Sequence, residues 1–244
     1  ENVGFKYPGT DIWAVRHITL ELTPGEKLAL VGENGAGKTT LVKLLARMYD
    51  PSEGRILVDG EDIRHFKIDS YRKLIGVIFQ DYVRFSFKAG ENIAVGQIDE
   101  AANADHIHTA AEKSLADPVI RKLPGGYDQM LGKRFSEGID LSGGEWQKIA
   151  LARAYMRDAQ IVILDEPTAS LDARAEYEVF KRFSELTRGK TAVIISHRFS
   201  TVRMADRILV LRQGEMSELG THQELLASNG LYAELFNLQA QGYQ

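Results

Sequence analysis

Short apolar runs alternate with segments of helical periodicity along most of this chain. Leu28–Val31 is an apolar run that leads into a glycine-rich loop. Beyond Lys38 the apolar residues recur at the i, i+3, i+4, i+7 spacing of an amphipathic helix, at Leu41, Leu44, Leu45 and Met48. The other segments with strand-like patterns are Ile18–Leu22, Arg55–Val58, Ile75–Phe79, Ile161–Leu164, Thr191–Ile195, Arg207–Leu211 and Met216–Leu219. Strands that alternate with helices predict an α/β sheet protein.

Residues 81–158 differ from the rest of the chain because they contain helix-like stretches and few strand patterns. Pro118 and Pro124–Gly126 interrupt this part of the sequence. We therefore predict a single domain over all 244 residues, with two lobes. Residues 1–80 and 159–244 form a core lobe that carries the sheet, and residues 81–158 form an inserted helical lobe.

The composition is that of an ordinary globular protein. Thirty Lys and Arg against 34 Asp and Glu give a formal net charge of −4, and 44% of the residues are hydrophobic. These values exclude a disordered chain and a collagen-like repeat, and the slight acidic excess argues against a nucleic-acid partner. The absence of Cys excludes disulfides, a thiol nucleophile and a zinc–thiolate site. The longest apolar runs are four residues, far below the ~20 of a membrane span.

A glycine-rich loop follows the first buried strand and matches the phosphate-loop pattern G-x-x-x-x-G-K-[ST] in full. The loop is Gly32-Glu33-Asn34-Gly35-Ala36-Gly37-Lys38-Thr39. Its glycines let the backbone approach an anion closely, and the following helix presents its positive N-terminus. In such a loop Lys38 reaches the β- and γ-phosphates and the Thr39 hydroxyl binds Mg²⁺. The pattern predicts a nucleoside triphosphate site.

Two carboxylates end the apolar strand Ile161–Leu164. Because ligands of open α/β sheets bind at the carboxyl ends of strands, Asp165 is placed to hold a Mg²⁺ ion and Glu166 to orient or deprotonate a water. The structural alternative is a solvated loop after a core strand. We favour the catalytic interpretation because the phosphate loop is present in the same chain.

A third motif has the sequence Leu141-Ser142-Gly143-Gly144-Glu145 and lies 23 residues before Asp165. The order of phosphate loop, this motif and the Asp-Glu strand end resembles the ATP-binding cassette (ABC) ATPases over essentially the whole chain. That resemblance implies a phosphate-loop NTPase fold with a RecA-like mixed-sheet core, an antiparallel β subdomain and an inserted α-helical subdomain. It also implies ATP and Mg²⁺ as cofactors and two cassettes paired head to tail.

The resemblance extends to further residues in the expected order. Tyr7 resembles the aromatic residue that stacks on adenine, Gln80 the Q-loop glutamine near Mg²⁺ or the attacking water, and His197 the switch histidine at the γ-phosphate. The D-loop corresponds to Ser170, Leu171 and Asp172. The nucleotide-binding set, besides Tyr7, is Gly32, Glu33, Asn34, Gly35, Ala36, Gly37, Lys38, Thr39 and Thr40. Each of the three single residues has a structural alternative: an edge aromatic, a polar strand end, and a histidine after a core strand.

Ser142 and Glu145 allow two interpretations. In the family, this motif completes the ATP site of the partner cassette, and the exposed amides of a helix start suit a γ-phosphate. The same spacing is also a capping box, which only stabilises a helix, and Thr221 with Glu224 repeats it near the end of the chain. The commonest family residue at position 145 is Gln, so Glu145 puts a carboxylate near the predicted phosphate position.

Several segments resemble cassettes of exporters, in which a membrane domain precedes the cassette in one polypeptide. They are Phe5–Pro8, Glu91–Ile93, Ser196–Val202 and Glu218–His222. Residues Leu131–Gly138 resemble a bacterial branch that includes lantibiotic-type peptide exporters. The aromatic segment Tyr82–Phe87 corresponds to the groove where the membrane domain docks, and its alternative role is in the core of the helical lobe.

These observations predict an ATPase that powers export across a membrane by ATP-driven head-to-tail dimerisation. Its partners are a second cassette and, through the region after Gln80, a transmembrane domain encoded upstream. The expected location is the cytoplasmic face of a membrane, the bacterial inner membrane in particular. Two alternatives stay open, namely a non-transport member of the superfamily, of the DNA-repair or chromosome type, and a catalytically weak nucleotide-binding module.

Overall fold

A computed structural model describes residues 1–135, 137–166, 173–196 and 198–241. The chain divides into two compact units. The first unit contains Glu1–Val77, Ala159–Glu166 and Gly189–Gln244, and the second contains Ile78–Asp158 and Pro167–Arg188.

A six-stranded sheet contains β3 (Lys27–Val31), β6 (Ile75–Ile78), β7 (Ile161–Asp165), β8 (Thr191–Ile195), β9 (Arg207–Arg212) and β10 (Glu215–Gly220). The strand order is β10-β9-β3-β8-β7-β6. Strand β3 pairs in parallel with β8 and β9, β7 pairs in parallel with β8, and β10 is antiparallel to β9. Ile195 pairs with both Leu30 and Asp165, so the ends of β3 and β7 flank the end of β8. The loop after β3 and the carboxylate that ends β7 therefore lie at the same edge of the sheet, separated by β8.

Two antiparallel pairs lie outside this sheet, β1 (Val3–Lys6) with β2 (Trp13–Ile18), and β4 (Leu57–Val58) with β5 (Glu61–Asp62). The strand predicted over Ile18–Leu22 is wrong in position, because β2 ends where Ile18 pairs with Val3 near the start of the chain. The strand predicted from Arg55 is shorter, since the pairing with β5 includes only Leu57 and Val58.

The helices of the first unit are α1 (Lys38–Leu45), α2 (Ile68–Lys73), α8 (Phe199–Val202), α9 (His222–Ala227) and α10 (Leu231–Gln241). Helix α1 ends before Met48 because Arg47 has a positive φ of 49°, which leaves Met48 47% exposed and outside the predicted helical stripe. Helix α9 begins as predicted, with Thr221 as N-cap and Glu224 completing a capping box. The fully buried Tyr232 packs with Ile208 and Val210 of the sheet.

The second unit is helical, with α3 (Ala89–Ala94), α4 (Ala104–Ser114), α5 (Asp117–Ile120), α6 (Gly143–Tyr155) and α7 (Ala173–Leu186). Its core surrounds Trp146 and Ile149 of α6 and Ile93 of α3. Pro118 lies in the first turn of α5, where a missing amide hydrogen costs no helical hydrogen bond.

Helix α7 groups with this second unit, although the sequence analysis placed residues 159–244 entirely in the core lobe. The physical reason is contact with α4 and α6, including a hydrogen bond from the Tyr155 hydroxyl to the Arg182 carbonyl at 2.7 Å. The functional division into an ATP-binding lobe and a helical lobe stays a prediction. None of the described helices is long and apolar enough to cross a membrane.

Candidate functional site

The loop between β3 and α1 needs glycine at two positions for steric reasons. Gly32 has a φ of 150°, and a Cβ there would lie 2.3 Å from the Leu211 carbonyl oxygen. Gly37 has a φ of 104°, and a Cβ there would lie 2.6 Å from the Val15 side chain. Because L side chains rarely adopt such φ values, the two glycines permit a loop that other residues would distort. The predicted phosphate loop thus has a backbone shape that depends on its glycines.

The N-terminus of α1 is open to an anion. Gly37 is the N-cap residue and, having no side chain, provides no cap to the first amides of the helix. These amides and the helix dipole together favour a negatively charged group at this end. Next to the loop lies a cavity of about 280 Å³. The cavity is lined by loop residues Gly32, Glu33 and Asn34, and by Ser196 after β8.

Lys38 is the first residue of α1, and its side chain is buried, with 6% exposure. Its ammonium group donates hydrogen bonds to the Gly32 carbonyl at 2.8 Å and the Glu33 carbonyl at 2.9 Å. Burial lowers the pKa of Lys38, while the negative charges of Glu166 and Asp165 oppose that shift. The loop therefore holds a cation at its centre, within the electrostatic influence of two carboxylates.

The two carboxylates lie at the end of β7, as predicted. Asp165 is buried, with 4% exposure. Glu166 has a positive φ of 46° and donates its amide hydrogen to the Ile195 carbonyl at 3.0 Å. A left-handed conformation is uncommon for a glutamate, and backbone strain of this kind clusters at functional sites. The pairing of the adjacent Asp165 with Ile195 of β8 holds Glu166 in this conformation.

The first unit contains hydroxyl and carboxylate side chains of the kinds that bind Mg²⁺. Mg²⁺ prefers carboxylate and hydroxyl oxygens and takes few protein ligands when phosphates supply the others. The exposed Thr39, in the first turn of α1, and the buried Asp165 are such donors. Across the part of the chain that the structure describes, no group of three or more His, Cys, Asp or Glu residues forms a metal site.

Tyr7 lies beside the first turn of α1. Its hydroxyl is 3.1 Å from the Thr40 hydroxyl, and the ring makes edge contacts with Phe5 and Tyr49. The Lys43 ammonium lies 5.7 Å from the ring centre. The interaction with Thr40 brings Tyr7 to the helix that follows the phosphate loop. Its role in adenine stacking stays a prediction.

The structure gives less information on the other predicted site residues of this chain. Gln80 is exposed and belongs to the second unit, two residues after β6. His197 and the predicted D-loop, which consists of Ser170, Leu171 and Asp172, lie outside the described residues. Ser196, next to His197, is buried, and its hydroxyl oxygen accepts a hydrogen bond from the Arg198 amide at 3.0 Å.

The Leu141–Glu145 motif forms the start of α6. Ser142 is the N-cap residue, and both its amide and its hydroxyl donate to Glu145 Oε2 at 2.8 Å. The Glu145 amide completes the capping box by donating to Ser142 Oγ at 3.4 Å. The structural alternative is thus present in the molecule. Ser142 and Gly143 are nevertheless exposed, so the helix start stays accessible to a second chain.

The aromatic segment Tyr82–Phe87 fits both interpretations given above. Tyr82 packs against the core of the second unit, whereas Val83 is 58% and Phe87 is 43% exposed. The Phe85 and Phe87 rings stack, with centres 5.2 Å apart. Phe87 also borders a cavity of about 560 Å³, lined further by Ala94, Val95, Ile98 and Ile107. The segment therefore belongs partly to the core and partly to an apolar surface.

A sheet whose strand ends carry a glycine loop, a buried lysine and an Asp-Glu pair defines a phosphate-loop nucleotide-binding protein. A family model described as ABC transporter matches residues 15–169. The chain therefore belongs to the ABC transporter family.

Individual relatives agree with this assignment. The chain is 43% identical over 235 residues to the subtilin transport ATP-binding protein SpaT of Bacillus subtilis, covering 96% of this chain and 38% of that protein. It is 42% identical over 242 residues to an ATP-dependent lipid A-core flippase of Alkalilimnicola ehrlichii, and the match covers 99% of this chain and 40% of that protein. The solved structure of a bacterial Atm1-family ABC exporter with ATP bound superposes with a TM-score of 0.90 at 40% sequence identity. The superposition covers 98% of this chain and 41% of that chain. The chain thus spans about two fifths of the length of these relatives.

These comparisons confirm the resemblance to ABC exporter cassettes and the predicted fold class. The family assignment also implies ATP binding, whereas hydrolysis and its coupling to transport are proposals. The roles of individual site residues stay predictions.

Proposed function

We propose that this chain binds MgATP and hydrolyses it to drive export of a substrate through a transmembrane partner. The observation that carries the proposal is the buried Lys38 ammonium, held on the phosphate-loop carbonyls and influenced by Asp165 and Glu166. The relatives named above are transport proteins, which supports export over DNA repair or chromosome maintenance. They also support a position at the cytoplasmic face of a membrane, with the bacterial inner membrane as our specific proposal.

In the ground state the loop amides and Lys38 would bind the β- and γ-phosphates, and Tyr7 would stack on the adenine ring. Thr39 and Asp165 are the protein groups proposed to hold Mg²⁺, with Gln80 touching its shell or the attacking water. The ion, when bound, neutralises phosphate charge. Hydrolysis would then be mainly positioning and charge stabilisation by preorganised groups.

The chemical step places a water opposite the β–γ bridging oxygen of ATP. Glu166 orients this water and accepts its proton as the oxygen–phosphorus bond forms. The bond from phosphorus to the bridging oxygen breaks, which leaves ADP and inorganic phosphate. His197 would hydrogen-bond the γ-phosphate during the transfer. The strained backbone of Glu166 supports this role, because the surrounding pairing fixes its position.

The partners follow from the exposed motifs of the second unit. Ser142, Gly143 and Gly144 would bind the γ-phosphate of ATP held by a second cassette, whether a copy of this chain or a homologue. Val83 and Phe87 give the segment after Gln80 an apolar surface that suits a transmembrane partner.

The test separates hydrolysis from ATP-dependent dimerisation. Glu166→Gln keeps the side-chain shape but removes the base, so phosphate release should fall by ~10²–10⁴ while ATP still binds. Light scattering should show the variant as a dimer with MgATP and as a monomer without nucleotide. Hydrolysis at the unsubstituted rate would contradict the role of Glu166. An inactive variant that stays monomeric at saturating ATP would contradict the two-chain site, and an unsubstituted chain that binds ATP without turnover would favour the binding-module alternative.

A further inference from the structure

The segment after Gln80 is hydrogen-bonded to α6, the helix that begins with the Ser142 motif. The Tyr82 hydroxyl donates a hydrogen bond to the Gly143 carbonyl at 2.9 Å. Gly143 is the first residue of α6, directly after the Ser142 cap. The Gly143 carbonyl oxygen has two lone pairs, and one of them serves the usual helical hydrogen bond from the amide four residues later. The Tyr82 hydroxyl is therefore an additional hydrogen-bond partner at the first turn of α6.

Arg153, farther along the same helix, holds the other side of this segment. Its Nη1 donates to the Val83 carbonyl at 2.7 Å, while Nε and Nη2 donate to the Asn92 backbone and side-chain oxygens, both at 2.8 Å. The guanidinium also lies 5.1 Å from the Phe85 ring centre. Burial lowers the pKa of Arg153 to about 10. An arginine uses its rigid fork of donors here, which a lysine cannot reproduce.

Asn92 extends the same network. It is fully buried, and its Nδ2, which has two hydrogens to donate, lies 3.1, 3.1 and 3.2 Å from the carbonyl oxygens of Phe85, Phe87 and Lys88. Polar side chains thus bind most of the backbone that carries the exposed Val83 and Phe87 side chains. Hydrogen-bond networks of this kind rigidify a segment and specify one arrangement.

We infer that Tyr82 and Arg153 are positioning residues that join residues 82–88 and the first turn of α6 into one rigid element. The inference rests on the proposed function, in which the Ser142 motif binds the ATP of a second chain. A displacement of Val83 and Phe87 by a docked partner then displaces Ser142 as well. In the opposite direction, ATP held by Ser142 fixes the surface that the partner contacts.

The decisive substitution is Tyr82→Phe, which removes one hydroxyl and keeps the ring that packs on the core. Tyr155→Phe is a matched control, because the Tyr155 hydroxyl likewise donates to a backbone carbonyl of the same unit, that of Arg182 at 2.7 Å. Both substitutions are made in the Glu166→Gln background. The measurements are the ATP concentration at half-maximal dimerisation, the ATP affinity of the monomer, the melting temperature, and hydrogen exchange with and without MgATP.

We expect Tyr82→Phe to raise the ATP concentration for half-dimerisation about fivefold, the equivalent of one lost hydrogen bond. Monomer affinity for ATP should stay unchanged, and Tyr155→Phe should leave the dimerisation midpoint unchanged. In the background protein, MgATP should slow exchange both at residues 142–147 and at residues 83–88. Tyr82→Phe should lose the protection of residues 83–88.

Equal dimerisation midpoints for Tyr82→Phe and Tyr155→Phe would overturn the inference. Loss of folding in Tyr82→Phe would also overturn it, because the hydroxyl would then serve stability alone. If the Glu166→Gln background itself fails to dimerise with ATP, the proposed function fails instead, and the two failures are thereby distinguished.

Discussion

Glu145 offers the sharpest test of the proposed two-chain site. Its carboxylate accepts hydrogen bonds from both the amide and the hydroxyl of Ser142 at 2.8 Å. If the Ser142 hydroxyl turns its one proton from Glu145 to a γ-phosphate oxygen at a usual ~2.7 Å, and the Ser142 amide keeps the carboxylate in place, the carboxylate and phosphate oxygens lie at most ~5.5 Å apart. The substitution Glu145→Gln removes the negative charge and keeps a side chain that capping boxes accept.

The size of the effect follows from Coulomb's law. Two unit charges ~5.5 Å apart repel by ~0.8 kcal/mol in water and by ~3 kcal/mol at an effective dielectric constant of ~20. The exposed helix start, which a second chain would cover in the proposed dimer, lies between these limits. We therefore expect Glu145→Gln to lower the ATP concentration for half-dimerisation by at least about fourfold. The gain should shrink in 1 M salt, where the screening length falls to ~3 Å.

The assay is light scattering of Glu166→Gln with and without Glu145→Gln, over an ATP titration at low and high salt. The matched control is Glu224→Gln, because Glu224 accepts from the Thr221 amide and hydroxyl at 2.8 and 2.9 Å in an equivalent capping box. The control should leave the dimerisation midpoint unchanged. A midpoint for Glu145→Gln that matches the control at low salt would refute the electrostatic reasoning.

Three further substitutions test other parts of the molecule. Lys38→Ala should weaken ATP binding about 10- to 100-fold by calorimetry, the worth of a charged hydrogen bond, and an unchanged affinity would remove Lys38 from the site. Tyr7→Ala should weaken ATP binding by ~1–3 kcal/mol, with GTP still competing, whereas a full-strength calorimetric signal would exclude adenine stacking. Burial lowers the pKa of His222 below 6.5, so the neutral form is favoured in the folded chain and stability should fall as pH drops through 6.5. His222→Gln should flatten that part of the urea-unfolding profile, and an equally steep profile would show that another group titrates.

Sequence patterns predicted the central strands well for a physical reason. Strands β3, β7 and β8 are buried on both faces, so each is a continuous apolar run whose limits the sequence displays. The β2 strand was misplaced because it contains the polar residues Arg16 and His17, and its register depends on β1. Alternation within one segment does not identify the partner strand.

The candidate site was likewise predictable from the sequence only in part. The phosphate loop and the Ser142 motif are contiguous, so their chemistry is visible in the sequence. The hydrogen bonds of Tyr82 to Gly143 and of Arg153 to Val83 join residues 61 and 70 positions apart, and no local pattern predicts them. The available signal was an arginine four residues after Ile149, on the apolar side of a buried helix.

The resting position of Lys38 has a consequence for selectivity among nucleotides. The ammonium group already has two carbonyl partners, Gly32 and Glu33, so phosphate binding exchanges one set of acceptors for another. A ligand gains from this lysine only by the difference between its own anionic oxygens and those carbonyls. A nucleoside monophosphate, which lacks the outer phosphates, leaves the exchange incomplete and gains little. In the proposed binding mode, Lys38 would therefore favour nucleoside triphosphates over nucleoside monophosphates.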